Sequence, residues 1–64
     1  MPTAETSTAK VLKRLTADGW QLVRHGANHD VYRHPVRPGV IVVPRHRVLS
    51  AGVARSIAKL AGWM

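Results

Sequence analysis

The chain has no cysteine and no phenylalanine, and only three of its side chains are acidic. Without cysteine it forms neither disulfides nor thiolate metal clusters, so packing alone must hold it together. The three carboxylates stand apart at Glu5, Asp18 and Asp30. That scatter excludes the paired carboxylates of a glycosidase and the acidic cluster of a two-metal nuclease. No apolar run approaches the roughly 18 residues of a membrane-spanning helix. No glycine-rich loop followed by lysine marks a nucleotide phosphate site. Linkers, internal repeats and low-complexity stretches are also lacking, so residues 1–64 read as one domain. The opening Met1-Pro2-Thr3-Ala4-Glu5 lacks the charged start and apolar stretch of a secretory signal, and the expected location is the cytoplasm.

What the chain has in excess is positive charge. Ten Lys and Arg against three Asp and Glu leave +7 on 64 residues. Such a field attracts polyanions and speeds their encounter, which makes nucleic acid the leading partner class. A generally solvated basic surface, or one neutralised by an acidic protein, is the competing reading. Membrane attachment fits less well, because the cations do not gather on one face of a long amphipathic helix. Hydrophobic residues make up 45%, ordinary for a folded domain. A domain this short buries only about 60% of the surface its unfolded chain exposes.

Periodicity gives the order of elements. Thr6, Ser7 or Thr8 can cap a first helix in which Val11, Leu12 and Leu15 recur at helical spacing, and Asp18-Gly19 ends it. Residues 20–25 read as a strand, Gly26-Ala27-Asn28 as a turn of residues that tolerate positive φ, and residues 29–34 as the returning strand. After Pro38-Gly39, the β-branched run of residues 40–43 predicts a third strand buried under helices, stopped by Pro44. Ser50 caps a second helix with Val53, Ala54, Ile57, Leu60 and Ala61 on its apolar stripe, and Gly62 closes it. The fold class expected is α+β in the order α-β-β-β-α, a three-stranded antiparallel sheet with both helices on one face.

Four histidines is many for this length, and His25, His29 and His34 fall in or beside one hairpin. With the turn at 26–28, His25 and His29 flank it as neighbours across the strands. Read singly, each is a surface or satisfied core residue. The His25-x3-His29 spacing resembles a metal pair, but it presents two ligands on one face only on a helix, and here Gly and Asn intervene. No metal and no cofactor are expected.

A histidine engaged in proton transfer fits the charge better. RNA is cleaved without metal when its 2′-hydroxyl attacks the adjacent phosphate. The reaction needs a group to accept the hydroxyl proton and positive charge at the phosphate. Imidazole supplies the first, and Arg24, Arg33, Arg45 and Arg47 lie near the histidines to supply the second.

A resemblance sharpens this reading. Gly19-Trp20 followed by residues 24–35, Arg-His-Gly-Ala-Asn-His-Asp-Val-Tyr-Arg-His-Pro, resembles the hairpin of the HicA (YcfA-like) toxins. Residues 42–46, Val-Val-Pro-Arg-His, resemble that family's exit from the third strand, and residues 55–62 its closing helix. The resemblance implies a fold like the double-stranded-RNA-binding domain, metal-independent cleavage of mRNA in a bacterium, and inhibition by a HicB antitoxin. It places the catalytic histidine, which follows a Gly-Ser or Gly-Ser-Asn turn in the family, on His29, with Gly26 one position early for the shorter version. Ala27 stands where serine is common, so a serine hydroxyl has no role at that position. His25 is expected to assist only, and His34 and His46 to be structural or RNA-contacting.

The remaining residues read more plainly. Trp20 and Tyr32 can stack on bases, but packing is favoured. Trp63 is either a lid over the core or part of the antitoxin interface. Lys10, Lys13, Arg14 and Lys59 are solvated helix positions open to phosphate contacts. The main alternative is a non-catalytic module that reads double-stranded RNA by shape. A small structural component such as a ribosomal protein is the second.

Overall fold

The structure, a computed structural model, describes residues 4–63. Its elements are α1 (Thr8–Ala17), β1 (Gln21–His25), β2 (His29–Arg33), β3 (Val40–Pro44) and α2 (Ala51–Ala61), the α-β-β-β-α order expected. Val11 and Leu15 are the buried residues of the α1 stripe, with Leu12 packed at its margin. Ser7 occupies the N-cap position, but its side chain caps nothing. Thr8 lies inside the helix, and its hydroxyl donates to the His46 carbonyl. The Thr8 amide donates to Arg47 O at 3.2 Å and the Leu49 amide to Thr6 O at 2.7 Å, so the start of α1 is tied to the loop preceding α2. Ser50 does cap α2, its hydroxyl accepting from the Val53 amide at 3.2 Å.

Both helices end in the same way. Gly19 has φ +97°, and the next amide, Trp20, donates back to Leu15 O at 2.9 Å. At the other end of the chain Trp63 donates to Ala58 O at 2.8 Å, past the left-handed Gly62. Each is a Schellman closure, which satisfies orphan carbonyls and drops the following apolar residue against the helix it has just left. Trp20 is thereby buried and sits just ahead of β1. Its ring meets His34 edge-on at 5.2 Å. His34 is fully engaged: Nε2 donates to Asp18 O at 2.9 Å, and Nδ1 accepts from the Val36 and Arg37 amides at 3.0 and 3.2 Å. Only the Nε2–H tautomer satisfies all three, so His34 is structural.

The three strands form an antiparallel sheet in the order β1-β2-β3. Tyr32, Ile41 and Val43 point to one face, where they join Val11, Leu15, Trp20, Leu49, Ala54, Ile57 and Ala61 in one core. Residues of both helices are in that cluster, so both lie on the same side of the sheet. The opposite face is open. This corrects the expectation for residues 40–43: Val40 and Val42 are 44% and 46% exposed, because the helices cover one face only and the strand alternates. Pro44 remains within β3 as its last residue. Leu60 also leaves the apolar stripe, at 52% exposed, and Ala58 takes the buried place. Val40, Val42 and Leu60 line an open groove of about 340 Å³ between β3 and α2. Trp63 rests as a lid at the end of α2, its indole N–H donating to Asp18 Oδ2 at 2.5 Å and its ring 4.3 Å beneath Arg14.

The single tyrosine of the chain reports on this core. Burial pushes the Tyr32 phenol above the ordinary tyrosine range, and the nearby Asp30 carboxylate adds to the shift. The folded state therefore holds the phenolic proton more tightly than the unfolded state. That contribution to stability is complete below the unfolded value and is lost as pH rises through the folded one. Phenolate absorbance should titrate at higher pH in native protein than in concentrated guanidinium, and Asp30→Asn should move the native midpoint part of the way down. Coincident native and unfolded curves would contradict this placement of Tyr32.

Candidate functional site

The hairpin joining β1 and β2 carries His25, His29 and Asp30, and its register decides what they face. Gln21 pairs with Arg33 and Leu22 with Tyr32, but then Arg24 pairs with Val31 and His25 with Asp30. Val23 is the extra residue of a β-bulge, which advances the register by one. In an unbulged pairing His25 would stand opposite His29, as the sequence suggested. The bulge instead turns His25 onto the face of Asp30, and a one-residue shift of register changes the face of every later side chain.

Alternation along β2 sorts the site residues. Asp30 and Tyr32 point toward the helices and are buried, whereas His29 and Arg33 are exposed. Cross-strand partners share a face. Arg24, opposite Val31, therefore lies on the open face with His29 and Arg33. Positions two apart along a strand are spaced by about 7 Å, so the three form a cationic, imidazole-bearing strip rather than a pocket. Lys10 and Lys13 are not part of it. They are exposed on α1, behind the sheet, and extend the basic surface elsewhere. His46 is exposed in the loop after β3.

The other face of the hairpin tip holds a compact charged group. His25 Nδ1 lies 2.7 Å from Asp30 Oδ1, and Arg45 Nε lies 3.5 Å from the same oxygen. Arg45 is held there partly by its backbone, whose amide donates to Asn28 O at 3.0 Å. Arg45 is thus a partner of Asp30, not a member of the open strip with Arg24 and Arg33. The role of Asp30 was not visible in the sequence. The bulge that creates it has no compositional signal, and only the proximity of a carboxylate to a histidine in the hairpin hinted at it. Among the described residues, no three His, Asp or Glu side chains cluster as a metal shell.

The turn is tight at Gly26. Its amide donates to His29 O at 2.9 Å, and the His29 ring folds back over it, with Nε2 3.7 Å from where a Cβ would lie. No positive φ occurs at positions 26–28, contrary to the expectation for this turn. Glycine is required by close approach instead: an added Cβ would stand 2.9 Å from the His29 carbonyl oxygen. Because that neighbour is backbone, the turn itself must move.

These features define a class first: a small basic α+β domain whose open sheet face presents an imidazole among arginines. A family model, the HicA toxin of bacterial toxin–antitoxin systems, matches residues 8–63, from the first residue of α1 to Trp63, and the chain belongs to that family. It is accordingly the toxin of a toxin–antitoxin pair, with an antitoxin as its protein partner. No curated protein matches the chain at a significant level. Among the described residues, no helix is long and apolar enough to cross a membrane.

The turn geometry gives a test. Gly26→Ala should lower stability by about 1–3 kcal/mol, the usual range for a strained backbone position. It should also shift the NMR resonances of both the His25 and His29 rings. Urea unfolding together with imidazole spectra measures both, and an unperturbed variant would remove the close-approach argument.

Proposed function

We propose that the chain, as a single domain over residues 1–64, is an endoribonuclease that cleaves mRNA in the bacterial cytoplasm without a metal. His29 is the proton-transfer residue. The observation that carries this reading is the position of His29 at the hairpin tip, exposed, on the same open face as Arg24 and Arg33. Family membership supports it, since the toxin of such a pair must damage something essential, and the +7 charge favours a polyanion.

The chemistry follows from those groups. The 2′-hydroxyl of RNA attacks the adjacent phosphorus as His29 accepts its proton. Arg24 and Arg33 stabilise the extra negative charge of the pentacoordinate state, where fixed cations act most strongly. The 5′ oxygen departs and a 2′,3′-cyclic phosphate remains. Arg45 sits at the edge of this site through Asp30, and Lys10 and Lys13 add diffuse attraction for the RNA backbone.

The partner is a HicB-like antitoxin. An acidic protein covering the hairpin would occlude His29 and neutralise the strip, which is the simplest way to silence a nuclease of this charge. A module that only reads double-stranded RNA by shape would leave unstructured RNA intact, so that substrate separates the two functions.

Three measurements test the proposal. His29→Ala should lower cleavage of unstructured RNA by roughly 10²- to 10⁴-fold, the usual worth of a proton-transfer residue. Its circular dichroism and RNA affinity should stay close to those of the parent. Cleavage should persist in excess EDTA and yield cyclic phosphate ends. Full activity in the variant, or activity that EDTA removes and a divalent metal restores, would overturn the scheme. RNA affinity should also fall with salt, with a logarithmic slope of about −0.7 per phosphate contact on single strands. Affinity that ignores salt would contradict a phosphate-driven encounter.

A further inference from the structure

β3 stands at the edge of the sheet, and among the described residues β2 is its one hydrogen-bonded neighbour strand. Its outer side therefore presents backbone groups with no strand to meet them. Register tells which groups these are. The Arg45 amide donates to Asn28 O at 3.0 Å, one step beyond the pair of His29 and Pro44. Residues of an antiparallel strand alternately turn their N–H and C=O toward the neighbour and away from it. Val43 and Ile41 thus follow Arg45 in bonding β2, while Pro44, Val42 and Val40 aim their backbone groups outward. Pro44 agrees with this parity, because a residue without an N–H is tolerated where the ladder requires no donor.

The same three residues form one wall of the groove of about 340 Å³ between β3 and α2. On the other wall Val53, Ile57 and Leu60 supply apolar surface, and Gly52 and Ser56 keep the wall low. A Cβ added at Gly52 would meet nothing within 4 Å, so that end of the groove is open. No charged side chain within β3 guards the edge, although charge is a common protection against unwanted pairing. An unpaired backbone edge and an apolar trough therefore run along one strand. These are the two features by which a sheet takes up an extended peptide. Main-chain bonds hold the peptide, and pockets receive its alternate side chains.

We propose that β3 and α2 form a docking edge for an extended segment of the antitoxin, which joins the sheet as a fourth strand. The inference rests on the antitoxin partnership of the family and not on the nuclease reading. Charge selects this occupant. Arg55 and Lys59 are exposed on α2, three residues after Gly52 and Ser56, and Arg33 stands opposite Val40. None of the three acidic residues lines the groove. A second copy of the chain would bring the same cations to the same edge, whereas apolar residues alternating with acidic ones would complement it. The edge also leads toward the proposed site, since Pro44 pairs with His29. With neighbouring strands about 4.8 Å apart, a fourth strand would pass roughly 10 Å from the His29 backbone. Chain continuing past Pro44 is thereby delivered to the hairpin tip.

Amide hydrogen exchange, measured on the chain alone and bound to the antitoxin co-expressed from its own operon, reads the edge directly. Alone, the Val40 and Val42 amides should exchange freely while those of Ile41 and Val43 are protected. In the complex, Val40 and Val42 should become protected as well. Val42→Pro removes an outward donor that takes no part in bonding β2. It should leave the circular dichroism unchanged and weaken antitoxin binding by roughly 10- to 100-fold. Leu60→Lys, at a position 52% exposed, should also weaken binding without disturbing the core. Outward amides that still exchange freely in the complex, or two folded variants that bind like the parent, would overturn the proposal and leave the nuclease reading standing. Protection that appears in the chain alone and rises with its concentration would overturn it in favour of a second copy. An antitoxin that does not bind the parent would overturn the partnership and this inference with it.

Discussion

The period of two along β2 is the constraint on which both the core and the site depend. Asp30 and Tyr32 face the helices, and His29, Val31 and Arg33 face away. Because β2 is the central strand, every neighbour must conform to that alternation, and each cross-strand pair inherits its face from it. Ile41 and Val43 therefore enter the core through their pairing with Tyr32 and Asp30, while Val42 stays outside opposite Val31. The open face is left to groups that contribute nothing to burial. A chain too short for a second layer on both sides of its sheet thus keeps one surface free for chemistry.

Asp30 is where this division becomes costly. A buried carboxylate loses hydration that must be replaced by partners, and removing one partner of such a group costs more than the pair itself contributes. His25 and Arg45 both converge on the same Oδ1. Neither is deeply buried, so their attraction to Asp30 is partly screened, and the arrangement serves orientation more than stability. Its consequence is a fixed hairpin tip: the strand carrying His25, the strand carrying Asp30 and the exit of β3 carrying Arg45 meet at one oxygen atom.

Much of the architecture was legible in the sequence, because its signals are local. Val11 and Leu15 at helical spacing, the cap at Ser50 and the glycine exits at Gly19 and Gly62 each act within a turn or two of chain, and each stands as expected. What escaped were quantities fixed by distant parts. Four β-branched residues in a row cannot reveal whether one or both faces will be covered, and Val40 and Val42 proved exposed. Leu60 fits the stripe of α2 by spacing, yet the helix rolls so that Ala58 faces inward. The placement of His25 depends on one inserted residue at Val23, which no residue type announces. Composition treats the histidines alike, and which imidazole acquires a carboxylate is decided by register.

The same register keeps the proposed site apart from the core in so small a domain. His29, Arg24 and Arg33 could all change without touching the core, since none packs among its residues. His34 is the opposite case: it looks like the other histidines in the sequence, but its ring is consumed by Asp18, Val36, Arg37 and Trp20. Histidine count therefore overstates the chemical capacity of the chain, and the useful distinction is which ring nitrogen remains free. By that criterion His34 has none and His25 has one. Asp30 alone belongs to both worlds, buried beside Tyr32 on the core side and bonded to the imidazole at the surface. Packing fixes that carboxylate, and the carboxylate orients the His25 ring, so the order of the core reaches that imidazole through their hydrogen bond.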